Sequence, residues 1–582
     1  MLIRRCEGTR AFLLFVIFSS LILLPVKTIA KERPLYFAES SPNPLENPDK
    51  AVTNDRSLDN QIKKRPTPKV GSRKSTLNKS ATEKPDIVLT DTLELSLQDV
   101  IANTLKNNVA IAVQEFQSKI RKEEIITQES VFDPTLSAEA KANQDRNLLA
   151  SAFAQPPKSN TNTQRFDLSF NQKLKTGTEY ELRFENSRTE TNSAFAGLNP
   201  QYTTRFEVNL TQPLLKNFGL DINKSSIYIA NNNLDISDFE FKNKVIEVIT
   251  DAENVYWDLV FSLEDLKVQQ KSVERAQDLE RRVKAQVEVG TLAPLEILQA
   301  KSEVASREEA VIKAHKLIQD NQDNLKNILN IPFDSPDGLK EIQPLDSPKF
   351  LVEVPVSLKE SILTALKKRP DYLAKKRELN NKHIQVKFNE NQLYPTLDLV
   401  ASFGLNGISG DAQAVGFPTP STNPFGGDFG RSQERAFSGD ASTWEGGLLF
   451  KYPLGNRDAE SRLAVSKLET AQLLMSIRDL QKTIILEVRE AARLINTNKK
   501  RVQAARVARK LAEEKLSAEE KKFEVGLSTS FNVLEFQTDL ATEQSKELQA
   551  VVDFNKSNIK LRKVLATTLE KYNIRMASDP SP

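Results

Sequence analysis

The side chains best suited to chemistry are few in this sequence, and none stands in a pattern that would let it act. The two histidines, His315 and His383, lie in stretches of helical periodicity. Neither has a second histidine or a cysteine at ligand spacing, so neither forms a metal-site pattern. Adjacent carboxylates such as Glu308 and Glu309 fall on charged helical faces, where exposure is the default. There is no glycine-rich phosphate loop ending in Lys-Ser or Lys-Thr, and no serine elbow. Trp257, in "VYWDLV", reads as a bundle residue rather than the wall of a ligand pocket. No catalytic residue, metal or cofactor is expected, so function must come from how the chain's elements are arranged.

The bulk numbers agree. With 81 basic and 78 acidic groups among 582 residues, the net charge of +3 gives no pointer to nucleic acid and reads as solvated helix faces of mixed sign. Arg4, Arg5 and Arg10, an apolar run from Ala11 to Leu24, and "TIA" ending at Ala30 make a secretory signal peptide over 1–30. The only cysteine, Cys6, would leave with it, so no disulfide is expected in the exported chain. Residues 31–90 are rich in Pro, Ser, Asn and Lys without apolar periodicity and read as a disordered tether.

Beyond that point the chain repeats itself. "LSLQDVIANTLKNN" from Leu95 aligns with "VSLKESILTALKKR" from Val356, and "FDPTL" from Phe132 with "LYPTL" from Leu393, both at an offset of 261. "LTQPL" and "FKYPL" match at 240, and "VGTLAPLEILQA" from Val289 matches "VGLSTSFNVLEF" from Val525 at 236. Landmarks in the same order mark an internal duplication. We place the first repeat at 91–331, a linker at 332–356, the second repeat at 357–570 and a tail at 571–582.

Each repeat carries a long helical pair. Val245, Val248, Ile249, Ala252, Val255, Tyr256, Leu259, Leu263 and Leu266, then Val273, Ala276, Leu279, Val283 and Val287, step by threes and fours along a charged rod. Some seventy residues at ~1.5 Å each make a rod of ~100 Å. Gly290 suits a helix C-terminus and Pro294 the start of the next helix. Gly526, with Ser528, Thr529 and Ser530 as candidate caps, does the same work in the second copy. Both places are expected to be hairpin tips.

The middle of each repeat changes period. Phe166, Leu168 and Phe170, then Tyr180, Leu182 and Phe184, then Phe206, Val208 and Leu210 alternate with polar residues. Leu397, Leu399, Ala401, Phe403 and Leu405, then Trp444, Gly446, Leu448, Phe450 and Tyr452, repeat the pattern in the second copy. Segments of about ten residues with aromatic ends, joined by polar loops, are the signature of membrane strands. Strands in lipid must close into a barrel of at least about eight. One chain offers four to six, so several copies must share one barrel.

An exported chain with two copies of helix, membrane hairpin, long helix, glycine tip and returning helix resembles the TolC-like outer-membrane efflux proteins. The phrases that carry the resemblance are "FDPTL" and "LYPTL", "LTQPLLKNFG", "VYWDLV", "VGTLAPLEILQAKSEVA" and "VGLSTSFNVLEFQTDLA", in an order that spans Leu95 to about Leu569. The resemblance implies an α+β membrane protein: a homotrimer with one shared β-barrel in outer-membrane lipid, continued by an α-helical coiled-coil barrel through the periplasm. It would be the passive duct of a tripartite efflux or type I secretion system, with a periplasmic adaptor protein and an inner-membrane transporter docked at the tip.

The resemblance also carries site residues. Matching the second tip onto the family's pore constriction places Asn532 and Glu535 at the constricting positions. Asn532 stands where an aspartate is typical, so one acidic ring, from Glu535, is expected. Gly290, Pro294 and Gly526 would be adaptor contacts. The membrane hairpins fall at about 133–212 and 395–453. The first is longer, with 79 residues from Pro134 to Pro213 against 58 from Pro395 to Pro453. Its extra alternating pair around Thr176 and Gly177 leaves two readings. It is an outside extension, giving twelve strands per trimer, or two added barrel strands with a short periplasmic turn, giving eighteen. The family pattern favours twelve. The rival from another class is a periplasmic coiled-coil adaptor or scaffold without a membrane barrel, which would account for the hairpins but not for two symmetric strand sets.

Overall fold

The computed structural model describes residues 92–148, 156–350, 357–415 and 421–576. The expected signal peptide and tether lie outside them, as does the tail beyond 576. After a short strand β1 (Thr92–Leu95), the first repeat runs α1 (Leu97–Asn107), α2 (Val109–Glu129), β2 (Thr135–Leu148), β3 (Lys158–Lys173), β4 (Glu179–Thr191), β5 (Leu198–Pro213), α3 (Ser225–Glu288) and α4 (Leu295–Ile328). A strand β6 (Glu341–Pro344) follows. The second repeat runs α5 (Leu358–Lys368), α6 (Pro370–Gln392), β7 (Thr396–Ala412), α7 (Phe429–Ser438), β8 (Ser442–Lys451), α8 (Arg457–Glu524) and α9 (Ser530–Leu565), with a last turn α10 (Thr568–Lys571).

Local chemistry sets the corners of this plan. Ser96 and Asp99 cap α1 reciprocally, each side chain taking the other's backbone N–H. Asn108 separates α1 from α2 and accepts from the amides of Ala110 and Ile111, while its own amide donates to Ile328 O at 2.9 Å. Where strands meet helices the chain turns through left-handed residues: Asn217, Gly219, Gly455 and Asn456 all have positive φ.

The six long strands form one antiparallel sheet in the order β8-β7-β5-β4-β3-β2. Alternation gives it two unlike faces. One rung crosses all six strands through Leu136, Phe170, Leu182, Val208, Phe403 and Trp444, every residue apolar. The opposite face is charged: Arg165 pairs with Asp167 and Glu185, each at 3.3 Å, and Arg183 with Glu181 at 2.7 Å. An apolar outside and a polar inside are what a barrel wall in lipid requires. The amphipathic α7 lies against the apolar face beyond this band, with Phe437 within 6.4 Å of the Phe184 ring and 6.2 Å of the Phe206 ring. Gly407 lets it come so close, since a Cβ there would fall 1.9 Å from Ser432 O.

The sheet corrects the expected strand count. Among the described residues four strands come from the first repeat and two from the second, six rather than the four that a twelve-stranded trimer needs. The turn at Thr176 and Gly177 stands at the helical end of the sheet, where Gly219 N donates to Thr176 O at 3.3 Å. A Cβ on Gly177 would meet Asn217 O at 2.7 Å. The added pair is therefore not an outward extension of two long strands.

Below the sheet the helices form the wall. α3 and α8 have 64 and 68 residues, rods of about 100 Å at ~1.5 Å per residue. The seam is buried as its spacing requires: Val245, Ile249, Ala252, Tyr256, Leu259, Ala276, Leu279 and Val283 are nearly inaccessible. The sequence gives no sign of a waist that gathers around Tyr256. β1 pairs in parallel with β6 across almost the whole first repeat. The Tyr256 hydroxyl donates to Asp346 Oδ2 at 2.8 Å, and that carboxylate also takes the Leu97 N–H at 2.9 Å. Burial and the Asp346 charge push the Tyr256 phenol pKa far up, so it stays a donor. The end of the chain takes part as well: Leu569 of the second repeat, with Tyr572, Ile574 and Met576 of the tail, packs on a core of Ile101, Ile111, Val245, Val248 and Ile249.

Candidate functional site: the two hairpin tips

Both hairpins turn by the same device. In the first, the Thr291 N–H reaches back to Gln286 O at 2.9 Å, and Gly290 has φ +80°. In the second, Leu527 N–H bonds Lys522 O at 2.8 Å and Gly526 has φ +78°. This six-to-one closure needs a left-handed residue at the helix end. Nothing lies within 4 Å of a Cβ built at either glycine, so conformation rather than space demands glycine there. Pro294 occupies the cap position of α4, with φ −56°. Thr529 caps α9, accepting from the Asn532 N–H at 3.4 Å, and is the one of the three candidate caps that does so. Gly290, Pro294 and Gly526 are all exposed. Around them Val289, Leu295 and Leu298 on the first tip, and Val525, Leu527 and Phe531 on the second, leave large apolar side chains in solvent.

Asn532 and Glu535 stand three residues apart on one face of α9, away from the buried Val533, Leu534 and Gln537. Asn532 is half-buried, its amide 3.3 Å from Ser528 Oγ. Glu535 is exposed and has no ion-pair or hydrogen-bond partner among the described residues. Asp539, one turn further along the same face, is likewise exposed and unpaired. The spacing of four from Glu535 to Asp539 puts the two carboxylates on one stripe of the helix.

A buried cation joins the two tips. Arg307 on α4 is 6% exposed. Its guanidinium donates to Ser272 O at 3.0 Å, Gln537 Oε1 at 3.1 Å, Leu534 O at 2.9 Å and Thr538 Oγ1 at 3.0 Å, and its Nε to Glu303 Oε1 at 2.9 Å. One side chain thus holds α3, α4 and α9 together with every donor used. Beside it, Leu279, Val283, Val304, Leu516, Phe523 and Val533 form a shared apolar cluster. His315 and His383 are exposed and far from each other in sequence and element.

Comparison with known proteins now bears on this geometry. The family model described as outer membrane efflux protein matches the chain twice, over residues 100–330 and 362–567. No curated protein matches in sequence. Solved structures match in fold. The outer-membrane channel OprN has 14% identity and a TM-score of 0.59, with 81% of this chain and 89% of that chain covered. The Campylobacter jejuni CmeC outer membrane channel has 14% identity and a TM-score of 0.58, with 86% and 99% covered. The outer membrane protein VceC of Vibrio cholerae has 14% identity and a TM-score of 0.57, with 81% and 95% covered. The double match falls on the two repeats, the apolar sheet face supplies a wall for lipid, and the long rods supply a conduit below it. The chain belongs to the outer membrane efflux protein family and is an outer-membrane duct, with the fold of the solved channels: a membrane sheet continued by long paired helices.

Proposed function

We propose that three copies of this chain form the passive outer limb of a tripartite efflux or type I secretion assembly, closed at its periplasmic end by the second tip. The observation that carries the proposal is the line of Asn532, Glu535 and Asp539 along the start of α9, with two carboxylates left without partners at the end of an ion-paired rod. Three copies brought together at their tips make two acidic rings. Such rings repel anions and hold cations in a narrow passage. The chain catalyses nothing itself; work is supplied by an inner-membrane transporter. A periplasmic adaptor protein seats on the exposed apolar residues around Gly290, Pro294 and Gly526, which a rod ending in water would have no reason to display.

Self-assembly is supported by two unpartnered edges of the helical wall. α2 exposes Val109, Val113, Phe116 and Ile120 at spacings of four, three and four, and α8 exposes Val465, Leu468, Met475 and Leu486. These edges lie on the same two sides as β2 and β8.

The test is conductance of purified protein in a planar lipid bilayer, comparing the native chain with Glu535→Ala. Small cation-selective steps that lose selectivity in the variant are expected. Conducting protein whose variant behaves identically would remove Glu535 from the gate, and folded protein that stays soluble without detergent would remove the barrel.

A further inference from the structure

We infer that the barrel has eighteen strands, six from each chain, and that its outer mouth is a wide aqueous outlet rather than a point of selection. The inference rests on the reading that three copies assemble. Three observations carry it. First, the apolar rung from Leu136 to Trp444 runs through all six strands without a break, so β2 and β3 present lipid-facing residues at the same level as the rest. Secondly, the turn between β3 and β4 is built into the collar where sheet meets helix, through the Thr176 to Gly219 bond, and Gln172 Nε2 ties β3 to Phe132 O at 3.0 Å. A hairpin held at that end and apolar on the outer side is wall.

Thirdly, the sheet's two open edges suit each other. Every residue of β2 is exposed, and all but one of β8. Lipid offers no partner for the free backbone groups of such edges. β2 leads away from α2, whereas β8 leads down into α8, so the two run in opposite senses. β2 of one copy therefore continues the antiparallel ladder of β8 in the next, and three copies close the ring without a parallel seam. The occupant of each edge is a second copy of this chain.

Barrel diameter grows roughly in proportion to strand number, and barrels of sixteen to eighteen strands leave an aqueous channel. An eighteen-stranded mouth is about half as wide again as a twelve-stranded one. The inner face of the first-repeat strands carries acids and bases paired with each other, Arg165 with Glu185 and Arg183 with Glu181 among them. A wide lumen whose charges are locally neutralised passes hydrated solutes of either sign, which leaves discrimination to the tips.

Electron microscopy of the full wild-type chain in lipid nanodiscs reads copy number and strand number together. Three copies around a closed eighteen-stranded barrel is the expected result. Three copies around twelve strands, with β2 and β3 outside the ring, would overturn this inference and leave the duct intact. Particles without threefold symmetry would overturn the trimer reading along with it. Deleting residues 135–172 gives a second measure: a variant that still forms trimers should exclude neutral polymers from the outer side at a radius smaller by about a third. An unchanged cut-off would count against the inference.

Discussion

The two hairpin tips share a backbone and differ in what they do with their acids. At the first, Glu296 accepts from the Ser530 hydroxyl and Glu303 from Arg307, so its carboxylates are engaged in holding the tips together. At the second, the matching positions 532 and 539 hold Asn532 and Asp539, and between them Glu535 stands where the first tip has Gln299. There the charges are free. Duplicated segments that keep the same turn have diverged, one with its carboxylates engaged across the tips and the other with two that have no partner among the described residues. The turns themselves are stiffened by opposite chemistry. Val283 and Leu292 belong to the apolar cluster of the first tip, while their counterparts Glu519 and Ser528 are hydrogen-bonded at 2.5 Å in the second.

If the first tip is the brace, breaking it should have the largest effect. Arg307→Met leaves Leu534 O, Ser272 O and Glu303 without their shared donor, at a cost of about 3 kcal/mol for a buried, fully used cation. α9 should then swing free of α4, and single-channel steps should grow several-fold. Arg307→Lys keeps the charge but not the five-donor fork, and should fall between the two. Bilayer recordings with proteolysis at the tip check both. Unchanged steps in the methionine variant would mean that the apolar cluster alone holds the tips.

Next in size is the contrast between free and engaged carboxylates. Glu535→Gln with Asp539→Asn should reduce the cation-to-anion permeability ratio several-fold without changing step size much. Glu303→Gln should do the reverse, with selectivity kept and openings more frequent because Arg307 has lost its ion pair. Reversal potentials in a salt gradient separate the outcomes. Equal loss of selectivity in both variants would erase the distinction between the tips.

Why the sequence makes some of this visible and hides the rest is a matter of range. The seam from Val245 to Val287 and the alternation of Phe166 to Phe184 are written in local periods that no tertiary contact overrides, and each tip glycine announces its own backbone. The six-stranded count was hidden because a strand pair and an outward loop share the same alternation; only the docking of Gly177 against Asn217 decides between them. The ten-residue α7 is too short for its period to stand out in a polar stretch, although Asp428 three residues before Arg431 is a recognisable cap. The pairing of β1 with β6 and the reach of Arg307 join residues more than 200 apart, and no period records such contacts.

The smallest expected effect sharpens the comparison at the turns. The Ser528 hydroxyl and the Lys522 ammonium hold the Glu519 carboxyl below the usual glutamate range. A carboxylate whose folded pKa is depressed adds stability above its unfolded value, near 4.3, and loses it as pH falls through the folded value. Amide exchange at Gly526 to Ser528, corrected for its intrinsic pH dependence, should therefore speed up as acid protonates Glu519. Glu519→Gln should show the faster exchange at neutral pH and little further change in acid. The first tip has Val283 and Leu292 in these places, so exchange at Gly290 to Leu292 should not respond to the same acid step. If both turns loosen together, the carboxyl is incidental and the tips melt as one unit through the cluster they share.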